Sequence, residues 1–458
     1  MSEWTAKVVI CGAGIAGVAV AYELAVRRGL RDILLIEAGD PLALTSDKST
    51  EAYRVWWPDA AMVALMGRSI DLIEALAHET HNAILLNRRG YLYVTSDATT
   101  LQRFQAEAER IAAFGAGPLR IHPPGGGASP YQPAPAHGFT GQPEGADLIL
   151  DPALIRAHFP YLSPNSVALL HVRRAGWFSG RQLGMYLLEQ ARAHGVRLLR
   201  GRLTGVELSG GGVGAVHVTT AAETVRVATT TLISAAGPLQ QEVGRLLGIE
   251  LPLYHERHLK ASINDPLGLI PRHAPMVIAA DPITLPWDAD ERAALGADPE
   301  LCWLLDPLPS GAHTRPEGGA GATTLLLLWD YHTERVQPQF PITPDPQLTE
   351  LALRALATAI PALKTYVERT PQAYIDGGYY TRTRENRPLI GPLPVAGAFI
   401  IGGLSGYGLM ASCGAAELLA AHVLGDALPP HAAAYMLSRY DDPAYQEALA
   451  HMTSDGQL

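Results

Sequence analysis

Apolar and polar positions alternate along the chain on two different scales. Short runs rich in Val, Ile and Leu are typical of strands, whereas apolar residues at every third or fourth position are typical of helices. The short runs predict strands at Val8–Ile10, Ile33–Ile36, Ala83–Leu86, Tyr91–Thr95, Val196–Leu199, Leu203–Leu208, Gly214–Val218, Thr224–Val227, Thr231–Pro238, His255–Ile263, Met276–Ala280, Cys302–Leu305, Thr323–Trp329 and Phe399–Ile401. The longer period predicts helices at Ile15–Arg28, Ala60–His78, Thr99–Ala113, Ser179–Gly195, Asp345–Ile360 and Leu409–Leu424.

The first strand, turn and helix carry a glycine pattern in which each position has its own physical role. Gly12, Gly14 and Gly17 follow the first strand with the spacing G-x-G-x-x-G. Gly12 permits a tight turn, Gly14 lets the backbone approach a pyrophosphate, and Gly17 lets the helix lie close to the sheet. Glu37 ends the second strand, twenty positions after Gly17, where a carboxylate can accept hydrogen bonds from an adenosine ribose. The whole unit predicts binding of a dinucleotide.

The C-terminal part repeats the strand, glycine loop and helix without the same spacing. Phe399–Ile401 predicts a strand, Gly402–Gly408 forms a glycine-rich loop, and the helix Leu409–Leu424 ends at Gly425. A helix N-terminus presents free amides and a positive dipole end to an anion. This loop therefore offers a second site for a negatively charged group.

Two irregular stretches are further candidates for function. Residues 40–60 form a polar loop beside the predicted dinucleotide site, and its donors to phosphates or to a cofactor ring are Thr45, Ser46, Lys48, Ser49 and Thr50. A solvated loop is the alternative interpretation. Residues 115–148 are rich in Pro and Gly and predict a long loop, which suits either a lid over the active site or a surface insertion.

Composition and charge restrict the class of protein. The 458 residues are 48% hydrophobic and 17% charged, which is typical of a compact chain of two or more domains. The net charge of −10 argues against a nucleic-acid surface and against attraction to anionic membranes. Cys11, Cys302 and Cys413 have no metal-ligand spacing and predict neither a metal site nor a disulfide framework. No signal peptide or membrane-spanning run is evident, and a cytoplasmic protein is expected.

Several motifs together resemble a known family. They are GAGIAG with Glu37, AGWFSGRQL, ISAAGP, and TRTRENRPLIGPLP followed by IIGGLSGYGLMASCGAAELLA. Over nearly its whole length the chain resembles flavoproteins of the D-amino-acid oxidase superfamily, in the branch of sarcosine, dimethylglycine, proline and glycine oxidases and dehydrogenases. The resemblance implies an α/β (α+β overall) fold. A Rossmann-like FAD-binding domain with a β-meander is interleaved with a substrate domain built on a mixed, largely antiparallel sheet.

The resemblance also implies domain limits and a cofactor site. Residues 1–75, 150–248 and 376–445 would form the FAD-binding domain, and residues 76–149 and 249–375 the substrate domain. The glycines of the first turn would face the pyrophosphate, Val206 the adenine through its backbone, and the loop Gly406–Leu409 the N1–C2=O edge of the flavin. The implied FAD-binding residues are Gly12, Gly14, Ile15, Gly17, Glu37, Ala38, Ser46, Lys48, Ser49, Thr50, Val206, Ala236, Gly237, Gly403, Gly406, Tyr407, Gly408 and Leu409.

The chain departs from these relatives at positions that matter for chemistry. Tyr380 stands where glycine oxidase has an arginine that binds the substrate carboxylate, and Met410 where sarcosine oxidase has a lysine. The cysteine that tethers flavin aligns near Gly378, and the tethering histidine of dimethylglycine dehydrogenase has no match around Lys48, so non-covalent FAD is expected. The oxygen-activating lysine falls within Leu325–Leu328. This argues against fast oxidase activity and leaves O2 and a carrier as alternative electron acceptors.

The remaining candidates concern the substrate. The catalytic residues implied are Arg54, which resembles an active-site arginine of sarcosine oxidase, with Tyr380, Lys48 and Lys260. Trp56, Trp57 and Tyr379 can join Tyr380 in an aromatic wall, and His255, His258 and Arg382 are secondary candidates. The reaction implied is oxidation of a C–N bond in an amino acid or amine, favouring a secondary amine, by hydride transfer to flavin N5 to give an imine. The alternatives are a 2-hydroxy-acid dehydrogenase and, since the GGYY stretch also resembles a complex I assembly oxidoreductase, a non-catalytic flavin-containing assembly factor.

Overall fold

The computed structural model describes residues 2–126 and 129–452. Its α-helices are α1 (Ile15–Tyr22), α2 (Thr45–Lys48), α3 (Ala60–Glu79), α4 (Ala98–Ile111), α5 (Pro152–His158), α6 (Gly180–Ala193), α7 (Gln240–Leu246), α8 (Ala289–Ala297), α9 (Leu348–Ala359), α10 (Lys364–Glu368), α11 (Gly408–Leu424) and α12 (Pro443–His451). Glu23–Arg27 and Ala112–Ala116 are π-helical, and 3-10 turns occupy Gly237–Leu239, Cys302–Leu305, Pro361–Leu363, Ala432–Tyr435 and Leu437–Asp441.

The strands are β1 (Glu3–Thr5), β2 (Val8–Cys11), β3 (Ile33–Glu37), β4 (Ala52–Arg54), β5 (Tyr91–Thr95), β6 (Leu119–His122), β7 (Ala146–Ile149), β8 (Ala168–Val172), β9 (Ala175–Trp177), β10 (Arg197–Arg200), β11 (Arg202–Ser209), β12 (Gly212–Thr219), β13 (Thr224–Ala228), β14 (Leu232–Ser234), β15 (Tyr254–Asn264), β16 (Met276–Ala279), β17 (His313–Pro316), β18 (Thr324–Leu328), β19 (Tyr374–Arg382), β20 (Leu389–Pro392) and β21 (Ala398–Gly402). They form four sheets, of six, nine, four and two strands.

The six-stranded sheet has the order β10-β3-β2-β14-β21-β20. All neighbours are parallel except β20, which pairs antiparallel with β21. Its central strands are almost entirely apolar and buried, because helices cover one face of the sheet and the strands of the four-stranded sheet cover the other. The predicted α/β architecture with a Rossmann-like unit is therefore confirmed, and α1 and α11 pack against each other on this sheet.

The four-stranded sheet contains the predicted meander. β11, β12 and β13 pair antiparallel in sequence order, and β1 joins β13 in parallel. Val216, Val218 and Val227 point into a separate small core shared with the six-stranded sheet. The meander therefore lies against the dinucleotide unit.

The nine-stranded sheet has the order β19-β15-β18-β17-β16-β5-β8-β7-β6. Only the β16–β5 and β6–β7 pairs are parallel, so the predicted mixed, largely antiparallel sheet is confirmed. Helix α9 covers one face through a second apolar core that includes Leu325, Leu327 and Leu353. The short β4 and β9 form the remaining sheet.

Three predicted elements are wrong for local reasons. Ala83–Leu86 is a turn rather than a strand, since Asn82 and Leu85 adopt positive φ angles, which interrupt an extended backbone. Cys302–Leu305 is a 3-10 turn in which only Leu304 is buried. The predicted loop 115–148 is wrong only near its ends, where β6 and most of β7 extend the nine-stranded sheet, whereas residues 123–126 and 129–145 form neither helix nor strand.

The predicted domain limits stay a prediction. Two strands of the nine-stranded sheet lie within the ranges predicted for the FAD-binding domain. These strands are β8, in the range 150–248, and most of β19, in the range 376–445.

Among the described residues, no helix combines the length and the apolar character needed to cross a membrane.

Candidate active site

Two cavities meet at the carboxyl edge of the six-stranded sheet. The glycine-loop cavity lies beside Gly12, Gly14 and Glu37, and the inter-sheet cavity lies between this edge and strands β15, β18 and β19. Both are lined by Gly14, Thr45, Ser46, Ala235, Gly237 and Pro238. The shared wall joins them into one elongated cleft, at the position where open α/β sheets bind ligands.

The glycine loop has the tight geometry that its spacing predicts. Gly12 has a φ of 105°, and a Cβ there would lie 2.5 Å from the Ala235 carbonyl oxygen. A Cβ on Gly17 would overlap the Gly12 carbonyl oxygen, so the glycine lets α1 lie against the loop. Gly17 itself lines neither cavity, so the geometry supports this packing role, and its predicted contact with a pyrophosphate stays a prediction.

The start of α1 is held by a residue of the polar loop. Gly14 is the N-cap and contributes no side chain, and the Ile15 N–H donates to Ser46 Oγ at 2.9 Å. Ile15 and Ser46 both line the inter-sheet cavity. Thr45 Oγ1 beside them is buried without a hydrogen-bond partner among the described residues. Donors therefore converge at the junction of the two cavities.

Glu37 lies at the end of β3, as the spacing predicts. Its carboxylate accepts hydrogen bonds from the Ala13 and Gly39 amides at 2.8 and 2.9 Å, and it lines the glycine-loop cavity with Ala38 and Ala236. Across this cavity stands Thr204. Val206 is not among the residues that line this cavity, to which β11 contributes Arg202, Leu203 and Thr204, and its predicted backbone contact with an adenine stays a prediction.

The second glycine loop brings the start of α11 to the inter-sheet cavity. Gly403, Gly406, Gly408 and Leu409 line it, and α11 has no side-chain cap. Tyr407 is the exception to the predicted set. Its hydroxyl donates to the Asn386 carbonyl at 2.8 Å and its buried ring packs edge-on against Trp57, so the side chain points into the core.

The segment from Thr45 to Thr50, predicted as an irregular polar loop, contains the single turn α2 and is fixed to the nine-stranded sheet. Lys260 Nζ donates to the Lys48 carbonyl at 2.7 Å and to the Ser49 carbonyl at 3.3 Å. Arg315, whose side chain is 1% exposed, donates to the Thr50 carbonyl at 2.6 and 3.1 Å. The geometry gives Lys260 a positioning role, and its predicted catalytic role stays a prediction.

The other predicted lysine also has partners. Lys48 Nζ lies 2.7 Å from Asp47 and 3.6 Å from Asp376, and Lys260 lies 3.3 Å from Asp376. Hydrogen bonding to Asp47 raises the pKa of Lys48 above its ordinary value. Both lysines line the inter-sheet cavity, each with a carboxylate already beside it.

A row of alternating charges ends at the wall of the inter-sheet cavity. Arg382 lies 3.1 Å from Glu256, His258 Nε2 lies 3.4 Å from the same carboxylate, and His258 Nδ1 lies 2.6 Å from Asp330. Burial alone would lower the pKa of His258, but Asp330 and Glu256 raise it above its ordinary value. Burial opposes ionisation of Asp330, yet the charge of His258 holds its pKa below the ordinary range. Each of the two groups therefore favours the charged form of the other.

Tyr380 connects this row to the second glycine loop. Its ring stacks on His258 with centroids 3.4 Å apart, and a Cβ on Gly406 would overlap the same ring. Burial raises the pKa of the Tyr380 phenol well above its usual range, so the hydroxyl stays protonated. Tyr380 thus presents a flat, neutral surface to the inter-sheet cavity.

Arg54 is a half-buried cation without an acidic partner among the described residues. Its guanidinium lies 4.4 Å above the Trp57 ring, Nε donates to the Trp56 carbonyl, and Nη2 has no hydrogen-bond partner. Arg54 lines neither cavity, but its charge acts on the Tyr380 phenol. Among the described residues, Arg54 therefore takes part in no ion pair.

The predicted aromatic wall is only partly formed. Tyr379 and Tyr380 line the inter-sheet cavity, whereas Trp56 and Trp57 lie in the core and are less than 3% exposed. The Tyr379 hydroxyl bonds the backbone of Gln339. The prediction that Trp56 and Trp57 line the pocket is wrong, because sequence alone does not distinguish aromatic residues of a pocket from those of the core.

The comparison with protein families decides the identity of this cleft. The model of the DAO family, described as "FAD dependent oxidoreductase", matches residues 7–422. The chain belongs to the DAO family. This confirms the resemblance inferred from the glycine motifs, and the oxidoreductase class with it.

Curated and structural relatives of this DAO-family chain agree with that assignment. Human mitochondrial dimethylglycine dehydrogenase is 25% identical over 260 residues, which are 56% of this chain and 26% of the human protein, so the match spans about a quarter of that relative. The structure of L-proline dehydrogenase from P. horikoshii has a TM-score of 0.71 at 19% identity and covers 96% of this chain and 98% of its own. Glycine oxidase from Geobacillus kaustophilus has the same TM-score at 17% identity, with coverages of 96% and 99%. These structures share the fold.

The residues of the cleft fit the FAD that the family uses. The N-cap residues of α1 and α11 make no side-chain cap hydrogen bond, and apart from the Ile15 N–H, which donates to Ser46 Oγ, the amides at the two helix starts are available to anionic groups. The buried hydroxyls of Thr45 and Ser405 line the cavity without hydrogen-bond partners among the described residues. An elongated ligand with a central pyrophosphate would take its donors from these positions.

Sequence reasoning missed Asp330 as a site residue. It directly follows the apolar stretch Thr323–Trp329, and a carboxylate at the end of a buried strand is a signal that was present in the sequence. Its partner His258 lies 72 positions away, and the antiparallel pairing of β15 with β18 brings the two together. Thr204, Ala235 and Pro238 were also missed, because nothing in their residue types distinguishes them from structural positions.

Proposed function

We propose that this protein uses non-covalently bound FAD to oxidise a C–N bond in an amino acid or amine, favouring a secondary amine, to the imine. The observation that carries the proposal is the joined cleft of a DAO-family chain, in which both helix N-termini face one space that is closed by Tyr380, His258 and Asp330. The relatives named for dimethylglycine, proline and glycine support a substrate of this class.

Each part of the cleft has a separate task in this reaction. The amides at the start of α1, with Ser46, hold the pyrophosphate, and Glu37 holds the ribose. When bound, FAD supplies the acceptor for a hydride and its electron pair. The amides at the start of α11 stabilise negative charge at the edge of the redox ring. Leu259, Leu328 and Leu409 exclude water from the inter-sheet cavity.

The decisive experiment is anaerobic reduction of the FAD-loaded protein. We expect sarcosine, proline or another small amine to bleach the visible flavin band, while lactate and other 2-hydroxy acids leave it unchanged. Bleaching by hydroxy acids alone would select the 2-hydroxy-acid dehydrogenase instead. Failure of every amine, together with recovery of a stoichiometric protein partner, would select the assembly factor.

Non-covalent attachment has its own test. Gly378 replaces the tethering cysteine, and the cavity-lining histidine, His258, has a carboxylate at each ring nitrogen. We expect acid precipitation of the holoprotein to leave a colourless pellet and a yellow supernatant whose absorbance accounts for all the flavin. A pellet that stays yellow after washing in denaturant would contradict this.

The apolar side chains at the end of β18 are relevant to the choice of electron acceptor. Leu328 lines the inter-sheet cavity within the stretch where sarcosine oxidase has its oxygen-activating lysine. We propose a carrier as the acceptor and expect O2 to reoxidise the reduced protein no faster than free reduced flavin in stopped-flow mixing. Leu328→Lys should accelerate this reoxidation, and Leu328→Met, matched in size, should not. Rapid reoxidation of the unsubstituted protein would contradict the proposal.

A further inference from the structure

The cationic side chains of the inter-sheet cavity are balanced by carboxylates, whereas one carboxylate faces the space itself. Lys48 and Lys260 are paired with Asp47 and Asp376. Asp330 Oδ1 lies 2.6 Å from His258 Nδ1, and the Asp330 side chain is 31% exposed. Its other oxygen, Oδ2, has no partner among the described residues. The charge that the wall presents at this point is therefore negative.

The row behind Asp330 fixes both its position and its ionisation. His258 lies between Asp330 and Glu256 and is stacked on the Tyr380 ring, so the imidazole cannot rotate freely. Arg382 in turn neutralises Glu256. Glu256 and His258 therefore each have a group of opposite charge on both sides. Asp330, at the cavity end of the row, is left to interact with a ligand.

Loss of a hydride from carbon places positive charge on the adjacent nitrogen. The C–H bond breaks and its electron pair leaves with the hydride to the oxidised FAD, while the nitrogen lone pair forms the C=N bond. The neutral amine becomes an iminium cation. A fixed negative charge beside that nitrogen is worth more in the transition state than in the ground state, which is the condition for accelerating the step.

We propose that Asp330 is the counter-charge for the substrate nitrogen, and that it selects amines over hydroxy acids in this cavity. The inference rests on the proposed function and deepens it. A hydroxy acid would gain less from the carboxylate, because its oxygen holds positive charge less readily than nitrogen does when the hydride leaves. The structure thus assigns the amine specificity to a residue of β18's C-terminal extension rather than to a cation that binds the substrate carboxylate.

The test compares two ligands of the same shape. Betaine carries a quaternary nitrogen and cannot lose a hydride to form an iminium, and 3,3-dimethylbutanoate has carbon in place of that nitrogen. We expect the FAD-loaded protein to bind betaine at least about tenfold more tightly than 3,3-dimethylbutanoate in titration calorimetry. In Asp330→Asn the ratio should fall to near one, through loss of betaine affinity alone.

Matched controls separate this proposal from the proposed function. Asp345→Asn removes a nearby carboxylate, which bonds Tyr331 outside the cavity, and should keep the full preference for betaine. The flavin absorbance of Asp330→Asn should show that FAD is still bound, while bleaching by the best amine slows about 100-fold. No preference in the unsubstituted protein, or full preference in Asp330→Asn, would overturn the role of Asp330. A betaine preference without bleaching by any amine would instead overturn the proposed function.

Discussion

Gly17→Ala is expected to yield a protein that is purified without flavin and melts at a lower temperature. The new Cβ would overlap the Gly12 carbonyl oxygen and lie 3.3 Å from Ala235 Cβ, so α1 must move away from the glycine loop. The obstacle is backbone, which relaxes less than the end of a side chain. Overpacking of this kind costs about 1–3 kcal/mol, and the same displacement moves the Ile15 amide out of the cleft.

The ratio of flavin to protein absorbance and a thermal melt measure this effect. Gly319→Ala is the matched control, because a Cβ there meets nothing within 4 Å and the backbone has an ordinary φ. It should retain flavin and melt as the unsubstituted protein does. A Gly17→Ala protein with a full complement of FAD would show that the loop tolerates the side chain and that the packing role is wrong.

Arg54→Met is expected to weaken binding of carboxylate-bearing ligands selectively. Arg54 lines neither cavity, but it has neither an acidic partner among the described residues nor a partner for Nη2, and its charge acts on the Tyr380 phenol in the cavity wall. We therefore expect Nη2 to pair with a substrate carboxylate once a ligand is bound. Hydrogen bonds to charged groups contribute about 1.5–3 kcal/mol, which corresponds to a loss of about 10- to 150-fold in affinity. Methionine keeps an unbranched stem over Trp57 and limits the packing loss.

The dissociation constants of an amino acid and of the corresponding amine without its carboxylate make the comparison. Only the amino acid should bind more weakly to Arg54→Met, and the effect should appear in KM more than in the limiting rate of flavin reduction. Arg68→Met removes an arginine that pairs with Glu417 on the outer face of α3 and should change neither ligand. Equal weakening of both ligands would assign Arg54 a structural role.

The parts of this site that sequence could predict depend on local spacing. The turn at Gly12, the packing of Gly17 and the position of Glu37 follow from residues within one βαβ unit, whose geometry is the same wherever it occurs. The second glycine loop could be predicted for the same reason. Its Tyr407 could not, since the direction of a side chain at a helix start depends on the core that receives it, here Trp57.

The remaining parts depend on strand pairing between distant segments. The His258–Asp330 pair forms because Lys260 stands opposite Leu328 in the β15–β18 ladder, and no local pattern specifies that register. Likewise Lys260 is predicted as a catalytic group by its type, but its contacts with the Lys48 and Ser49 carbonyls are visible only in three dimensions. Ala83–Leu86 has a strand composition, yet the positive φ at Leu85 ends any extended run.

The anchoring of the short segment after β3 has a mechanical consequence. One end of it bears Ser46 against the Ile15 amide, and the other end is clamped at the Thr50 carbonyl by Arg315. If the nine-stranded sheet tilts, it must therefore either displace Ser46 or break the hydrogen bonds from Arg315 to the Thr50 carbonyl. The segment therefore couples the two cavities mechanically. By thermodynamic reciprocity, if a ligand in one cavity changes the affinity of the other cavity for its ligand by some factor, the second ligand changes the affinity for the first by the same factor.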